Sequence, residues 1–126
     1  MTRAETRSHS ASGSQAEQAA ATFLQARGYH VLERNFRCRG GEIDVIALDG
    51  GTLVFIEVKL RRTLQRGAPI EAVTALKQAR IARAAQAYLA FCGRVFPRIR
   101  FDVISVMRTA ARTEITHFKA AFPPAR

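Results

Sequence analysis

Ala16, Ala19, Ala20, Phe23 and Leu24 recur at the i, i+3, i+4, i+7, i+8 spacing that lays one apolar stripe along a helix. The pattern predicts a first helix over 15–27, with Gly28 placed where a helix stops. Residues 29–34 (YHVLER) then read as a short strand and 35–40 as a basic connection. The period next drops to two. Residues 42–48 (EIDVIAL) and 52–60 (TLVFIEVKL) alternate faces and are rich in β-branched side chains, and Asp49-Gly50-Gly51 between them predicts a hairpin. Residues 61–67 form a basic loop. Pro69, acceptable only in a first helical turn, opens a long helix to Cys92 whose inward stripe includes Ile70, Val73, Lys77, Ile81 and Tyr88. Gly93 ends it, 99–107 (IRFDVISVM) reads as a strand and 114–118 as a last short one.

A strand, a long helix and a strand make a crossover whose strands run parallel if they are neighbours, whereas the hairpin before it is antiparallel. The expected architecture is therefore α/β, a mixed sheet with helices packed on it. Residues 1–14 are small, polar and without periodicity, which predicts a flexible arm; 15–122 form the domain and 123–126 a tail.

Composition narrows the partner. The chain has 126 residues, 48% of them hydrophobic, enough for one core and too few for two. Its 20 Lys plus Arg against 10 Asp plus Glu leave a net charge of +10, which favours a polyanion bound through phosphate contacts, and so nucleic acid. Charge says nothing about catalysis. Cys38 and Cys92 lack a CxxC spacing and read as reduced thiols rather than a disulfide or zinc site. No run approaches the roughly 18 apolar residues of a membrane span, and the N-terminus lacks a secretory signal, so the expected setting is cytoplasmic, without membrane.

The hairpin carries the candidate chemistry. With Gly50-Gly51 as a two-residue loop, Asp44 opposes Glu57 and Glu42 opposes Lys59. Opposed side chains share a face, with Cβ atoms about 4.5–5.5 Å apart, so two carboxylates meet and call for a cation, for which Mg²⁺ is suited. Lys59, two residues beyond Glu57, projects to the same side, where an ammonium can orient water or stabilise charge developing on phosphate. The opposite faces, Ile43, Val45, Ala47 and Val54, Ile56, Val58, are apolar and are expected to pack on helices. A loop one residue longer would send the two acids to opposite faces. The plainer alternative is a solvated Glu/Lys cross-strand pair, against which Ile46, Leu48 and Phe55 on the same face argue for a cleft.

Other residues could join such a site. Lys77 stands in the middle of the long helix's apolar stripe, where it either reaches phosphate or an active-site acid or snorkels outward, and Gln78 is one position round. Arg34, Arg37, Arg39, Arg61, Arg62 and Arg66 flank the hairpin as candidate backbone contacts, or as simply solvated loop charges. Glu42 is either a partner for Lys59 or a further metal ligand. Asp102 reads as structural or substrate-orienting, and His9, His30 and His117 form no metal constellation.

The string GEIDVIALDGGTLVFIEVKLR resembles the signature of the YraN-like family of small bacterial proteins, grouped with the restriction-endonuclease-like, or PD-(D/E)xK, nucleases. Arg34-Asn35-Phe36, Lys77, Arg100-Phe101-Asp102-Val103 and Ala121-Phe122 extend the match over about 15–122. The resemblance implies a three-layer restriction-endonuclease-like fold, similar in order to the Holliday-junction resolvase branch. It implies Asp44 as the first acid, Glu57 as the (D/E) and Lys59 as the lysine, with Mg²⁺ or Mn²⁺ as cofactor. Ile43 departs from the proline of the nominal motif. Resolvase-like members also carry a glutamate on the first helix, which Glu17 matches, next to Ala16 at the stripe's edge; a solvated helix glutamate is the alternative. The reading leans toward an endonuclease on branched, nicked or single-stranded DNA. The alternatives are a non-catalytic nucleic-acid-binding protein and a nuclease acting on RNA; a symmetric substrate would suit a homodimer.

Overall fold

In the computed structural model, residues 11–61 and 73–124 are described. They form α1 (Ala11–Ala26), β1 (His30–Cys38), β2 (Gly41–Asp49), β3 (Thr52–Arg61), α2 (Ala75–Cys92), β4 (Arg98–Arg108) and β5 (Thr113–Phe122). The strands lie in sequence order in one sheet, antiparallel except for β3 and β4, which run parallel through the α2 crossover. The mixed sheet predicted from the hydrophobic pattern is present.

Alternation along the central strands splits the core between the two faces. Val45, Ala47, Val54 and Ile56 pack under Ala16, Ala20 and Leu24 of α1, while Ile46, Leu53 and Phe55 pack under Ile81, Ala84 and Tyr88 of α2. The result is three layers, helix on sheet on helix. No helix among the described residues is long and apolar enough to cross a membrane.

Several boundaries differ from expectation, each for a local reason. The first helix begins at Ala11, inside the expected arm. The strand expected at 29–34 runs to Cys38, because Phe36, Arg37 and Cys38 pair with Ile43, Glu42 and Gly41 around a tight Arg39-Gly40 turn. A register shift between Val31 and Glu33 and a left-handed Asn35 (φ 56) break its period-two pattern, which is why it reads as a connection. The second helix starts at Ala75 rather than Pro69: Thr74 caps it, its hydroxyl accepting from the Lys77 amide. Pro69 and Ile70 lie outside the described residues. Gly93 (φ 66) closes it in the left-handed conformation as predicted. The last strand is twice the expected length, bent where Ala120 takes a positive φ of 52.

Candidate metal and nucleic-acid site

The β2–β3 hairpin has the predicted two-residue turn and register, with Asp49, Leu48, Ala47, Ile46 and Val45 opposite Thr52, Leu53, Val54, Phe55 and Ile56. The regular pairing stops there, one step before Asp44 would face Glu57. The Val58 amide instead donates to Asp44 Oδ2 at 2.8 Å, so a carboxylate takes the place of a backbone acceptor. β2 peels away from β3 at this point, and Ile43 joins the cluster under α2 rather than the α1 side that strict alternation assigns it. Neither expected opposed pair, Asp44 with Glu57 or Glu42 with Lys59, belongs to the ladder. Glu42 lines the same groove and pairs there with Arg37 at 3.3 Å.

The parting of the strands opens a groove of about 710 Å³ lined by Asp44, Glu57 and Lys59, with Glu17 of α1 on one side and Lys77 and Arg80 of α2 on the other. Gly41 lets α2 come this close: a Cβ there would run into the Arg80 carbonyl. Asp44 and Glu57 are both buried, at 9% and 7% exposure. Burial holds the Asp44 carboxyl well above the ordinary carboxylate range, and the charges of Glu57, Glu17 and Glu42 add to the effect, against the opposing pull of the Val58 amide. Lys77 Nζ meets Glu57 Oε2 at 3.1 Å. Burial works against the Lys77 ammonium, but the charge and hydrogen bond of Glu57 outweigh it and its pKa rises. Among the described residues Lys59 and Arg80 make no ion pair.

Two buried acids meet here, Glu57 with Lys77 beside it and Asp44 with further negative charge acting on it, and their oxygens are the donors Mg²⁺ and Mn²⁺ accept. The residues fit a hard divalent ion. As arranged here, no group of three or more His, Cys, Asp or Glu among the described residues is placed to hold one, so the acids brought together are Asp44 and Glu57, with Glu17 at the groove wall and Glu42 engaged by Arg37.

The sequence profile of "Uncharacterised protein family UPF0102" matches residues 16–106. A UPF0102 protein of Symbiobacterium thermophilum is 58% identical over 94 residues, 75% of this chain and 80% of that one. One from Chlorobium chlorochromatii is 53% identical over 116 residues, covering 87% and 89%, and one from Geobacter metallireducens 47% identical over 110, covering 87% and 90%. The chain belongs to the UPF0102 family, the YraN-like group. The span that matches UPF0102 contains every residue lining the groove, from Ala16 to Ile81.

In this UPF0102 chain the remaining candidates, Arg37 excepted, lie away from the groove or outside the described residues. Gln78 donates its amide to the Val73 carbonyl and does not line the groove. Arg34 reaches α1, donating to Gln18 Oε1 at 2.9 Å. Arg37 lines the groove from the end of β1, paired there with Glu42, while Arg39 lies in the β1–β2 turn rather than in a long connection. Arg61 ends β3, and Arg62 and Arg66 lie outside the described residues. Arg80 is the groove residue that sequence reading overlooked, although its i+3 spacing from Lys77 places it on the same flank.

A second polar cluster also escaped the sequence. Fully buried Asp102 accepts from Arg100 Nε and Nη2, contacts His117 Nε2 at 2.7 Å and accepts from the Ala120 amide, while Arg100 also reaches Asp49 and the Tyr29 hydroxyl. Asp102 does not line the groove. It ties β4 to the bend in β5 and to the hairpin turn, a structural task, and His117 has a role where none was assigned.

Proposed function

We propose that this chain is a divalent-metal-dependent endonuclease that hydrolyses phosphodiester bonds of DNA, branched or single-stranded substrates included. The observation that carries the reading is the pair of buried acids, Asp44 and Glu57, in an open groove whose walls also present Lys59, Lys77 and Arg80. Acids alone would repel a polyanion, and bases alone would only bind it. Their combination around one cleft suits catalysis on phosphate.

Asp44 and Glu57 would hold Mg²⁺ or Mn²⁺, which when bound supplies Lewis-acid polarisation of the phosphoryl group and a lowered water pKa. The Val58 amide fixes Asp44 by donating to Oδ2 and leaves its other oxygen available. Lys59, two positions beyond Glu57 on β3, projects with it into the groove, where its ammonium orients water and stabilises charge on the non-bridging oxygens. Lys77 and Arg80 hold flanking phosphates. In the reaction a water oxygen bonds to phosphorus, one P–O ester bond breaks and a proton passes to the departing alkoxide.

A second reading has its own support. Glu57 already has a cation in Lys77, which would suit a protein that binds nucleic acid through this groove without cutting it. Incubating purified protein with plasmid, four-way-junction and single-stranded DNA in Mn²⁺, beside Asp44→Ala and Lys59→Ala controls, separates the two. Cleavage abolished by both substitutions supports the enzyme; binding without cleavage on every substrate supports the scaffold.

A further inference from the structure

Phe91 is 76% exposed near the C-terminal end of α2, an unusual position for a phenylalanine. Its ring is not isolated from the rest of the molecule. It leans on Tyr88 and Phe36, with centroids 6.4 and 6.3 Å away, so its position is braced from below while one surface is left open.

At roughly 100° per residue, Arg80, Arg83 and Phe91 fall on one flank of α2, beside the buried stripe of Ile81, Ala84 and Tyr88, and Lys77 heads that stripe at its groove end. This flank faces the β1–β2 turn: Arg80 approaches Gly41, and the Arg83 side chain lies over Gly40. Lys77 and Arg80 line the groove. The flank therefore leads out of the groove along a row of exposed arginines and ends, about 21 Å from Lys77 at 1.5 Å per residue, on a braced aromatic ring.

We propose that this flank of α2 is a track for single-stranded DNA leaving the groove, with Arg80 and Arg83 holding phosphates and Phe91 stacking an unpaired base. The proposal rests on the nucleic-acid reading of the groove and not on hydrolysis. Positive charge alone would take any polyanion. An open aromatic face at the end of a cationic row selects a strand whose bases are free to stack, since paired bases in a duplex present no ring face. Arginine beside an aromatic ring is the combination found in single-strand channels, where stacking tolerates any base.

The test is fluorescence anisotropy in EDTA, with wild type, Phe91→Ala, Phe91→Leu and Phe91→Tyr. The probes are labelled oligothymidylate, an abasic deoxyribose-phosphate strand of equal length, blunt duplex DNA and oligouridylate. Phe91 is exposed, so all variants should give wild-type circular dichroism and melting. The expected result is about tenfold weaker oligothymidylate binding for Phe91→Ala and Phe91→Leu, wild-type binding for Phe91→Tyr, and no change on the abasic strand or the duplex. Unchanged oligothymidylate affinity in Phe91→Ala overturns the proposal, as does an equal loss on the abasic strand. A Phe91-dependent preference for oligouridylate over oligothymidylate overturns the assignment to DNA. Because no divalent ion is present, absence of cleavage leaves this result unaffected, and an Asp44→Asn protein that no longer cuts should keep the same Phe91 dependence.

Discussion

Lys77 Nζ lies 3.1 Å from Glu57 Oε2, joining a half-exposed lysine of α2 to a carboxylate that is 7% exposed on β3. This explains a charge in the middle of an apolar helical stripe: the aliphatic stem packs and the ammonium turns into the groove to meet an acid. It also puts a tethered cation against one of the two residues expected to hold a divalent ion.

Replacing Lys77 should therefore separate stability from metal affinity. Lys77→Met leaves Glu57 buried without its partner, and the protein should lose about 1 kcal/mol in chemical denaturation, less than a fully buried pair because the lysine is half exposed. Added Mn²⁺ should then raise the melting temperature more than it does for wild type, since the competing ammonium is gone. An equal rise in both proteins would show that Lys77 and the ion do not compete.

Asp44→Asn should stabilise the protein. Burial and three neighbouring acids raise the Asp44 pKa in the fold, so its charged form opposes folding, and the opposition grows as pH rises from the unfolded carboxylate range through the raised folded value. The asparagine carbonyl can still accept from Val58. The variant should gain on the order of 1 kcal/mol at pH 7 and little at pH 4, read by urea denaturation at both. A loss of stability at pH 7 would mean that Asp44 is there for folding rather than for function.

Asp102 should behave in the opposite way. Burial alone would raise its pKa, but His117, Arg100 and the Ala120 amide together lower it. Its contribution is complete above the unfolded carboxylate value of about 4 and disappears as pH falls through the lowered folded value. Asp102→Ala should cost about 3 kcal/mol at pH 7, with any metal-supported activity per folded molecule retained. Loss of activity in the folded fraction would place this cluster in the chemistry.

The contrast between these two aspartates marks what the residue pattern could and could not disclose. Glu57 and Lys59 on one face of β3, and the Gly50-Gly51 register, follow from period two and turn chemistry, and both are observed. The place where β2 leaves β3 does not follow, because it depends on a side chain, Asp44, replacing a backbone acceptor for Val58. Strict alternation consequently misplaced Ile43 and paired Glu42 with Lys59 instead of Arg37. The Arg100–Asp102–His117 cluster was illegible for another reason: it joins residues from two strands at a bend whose position, Ala120, carries no glycine to announce it. Phe91 lies off the inward stripe of α2, and its exposure is visible only once that helix is packed on the sheet.

Gly41 offers a test of how the groove is built. Gly41→Ala should push the Cβ into the Arg80 backbone, forcing α2 off β2 at a cost of about 1–3 kcal/mol. Gly50→Ala meets no atom, although its positive φ of 62 makes it a strained turn position, so it should lose stability without disturbing nucleic-acid binding. Equal binding defects in both variants would separate the groove from the Gly41 contact.

The most direct measurement is the Mn²⁺-dependent cleavage rate of a single-stranded or branched DNA by wild type, Asp44→Asn, Glu57→Gln and Lys59→Met under one set of conditions. Wild type should cleave only when the ion is present, and each variant should lose at least about a hundredfold in rate, with DNA binding in EDTA within a few-fold of wild type for all four. Cleavage that persists in the Asp44 and Glu57 variants, or a wild-type protein that binds these substrates and never cuts them, would contradict it.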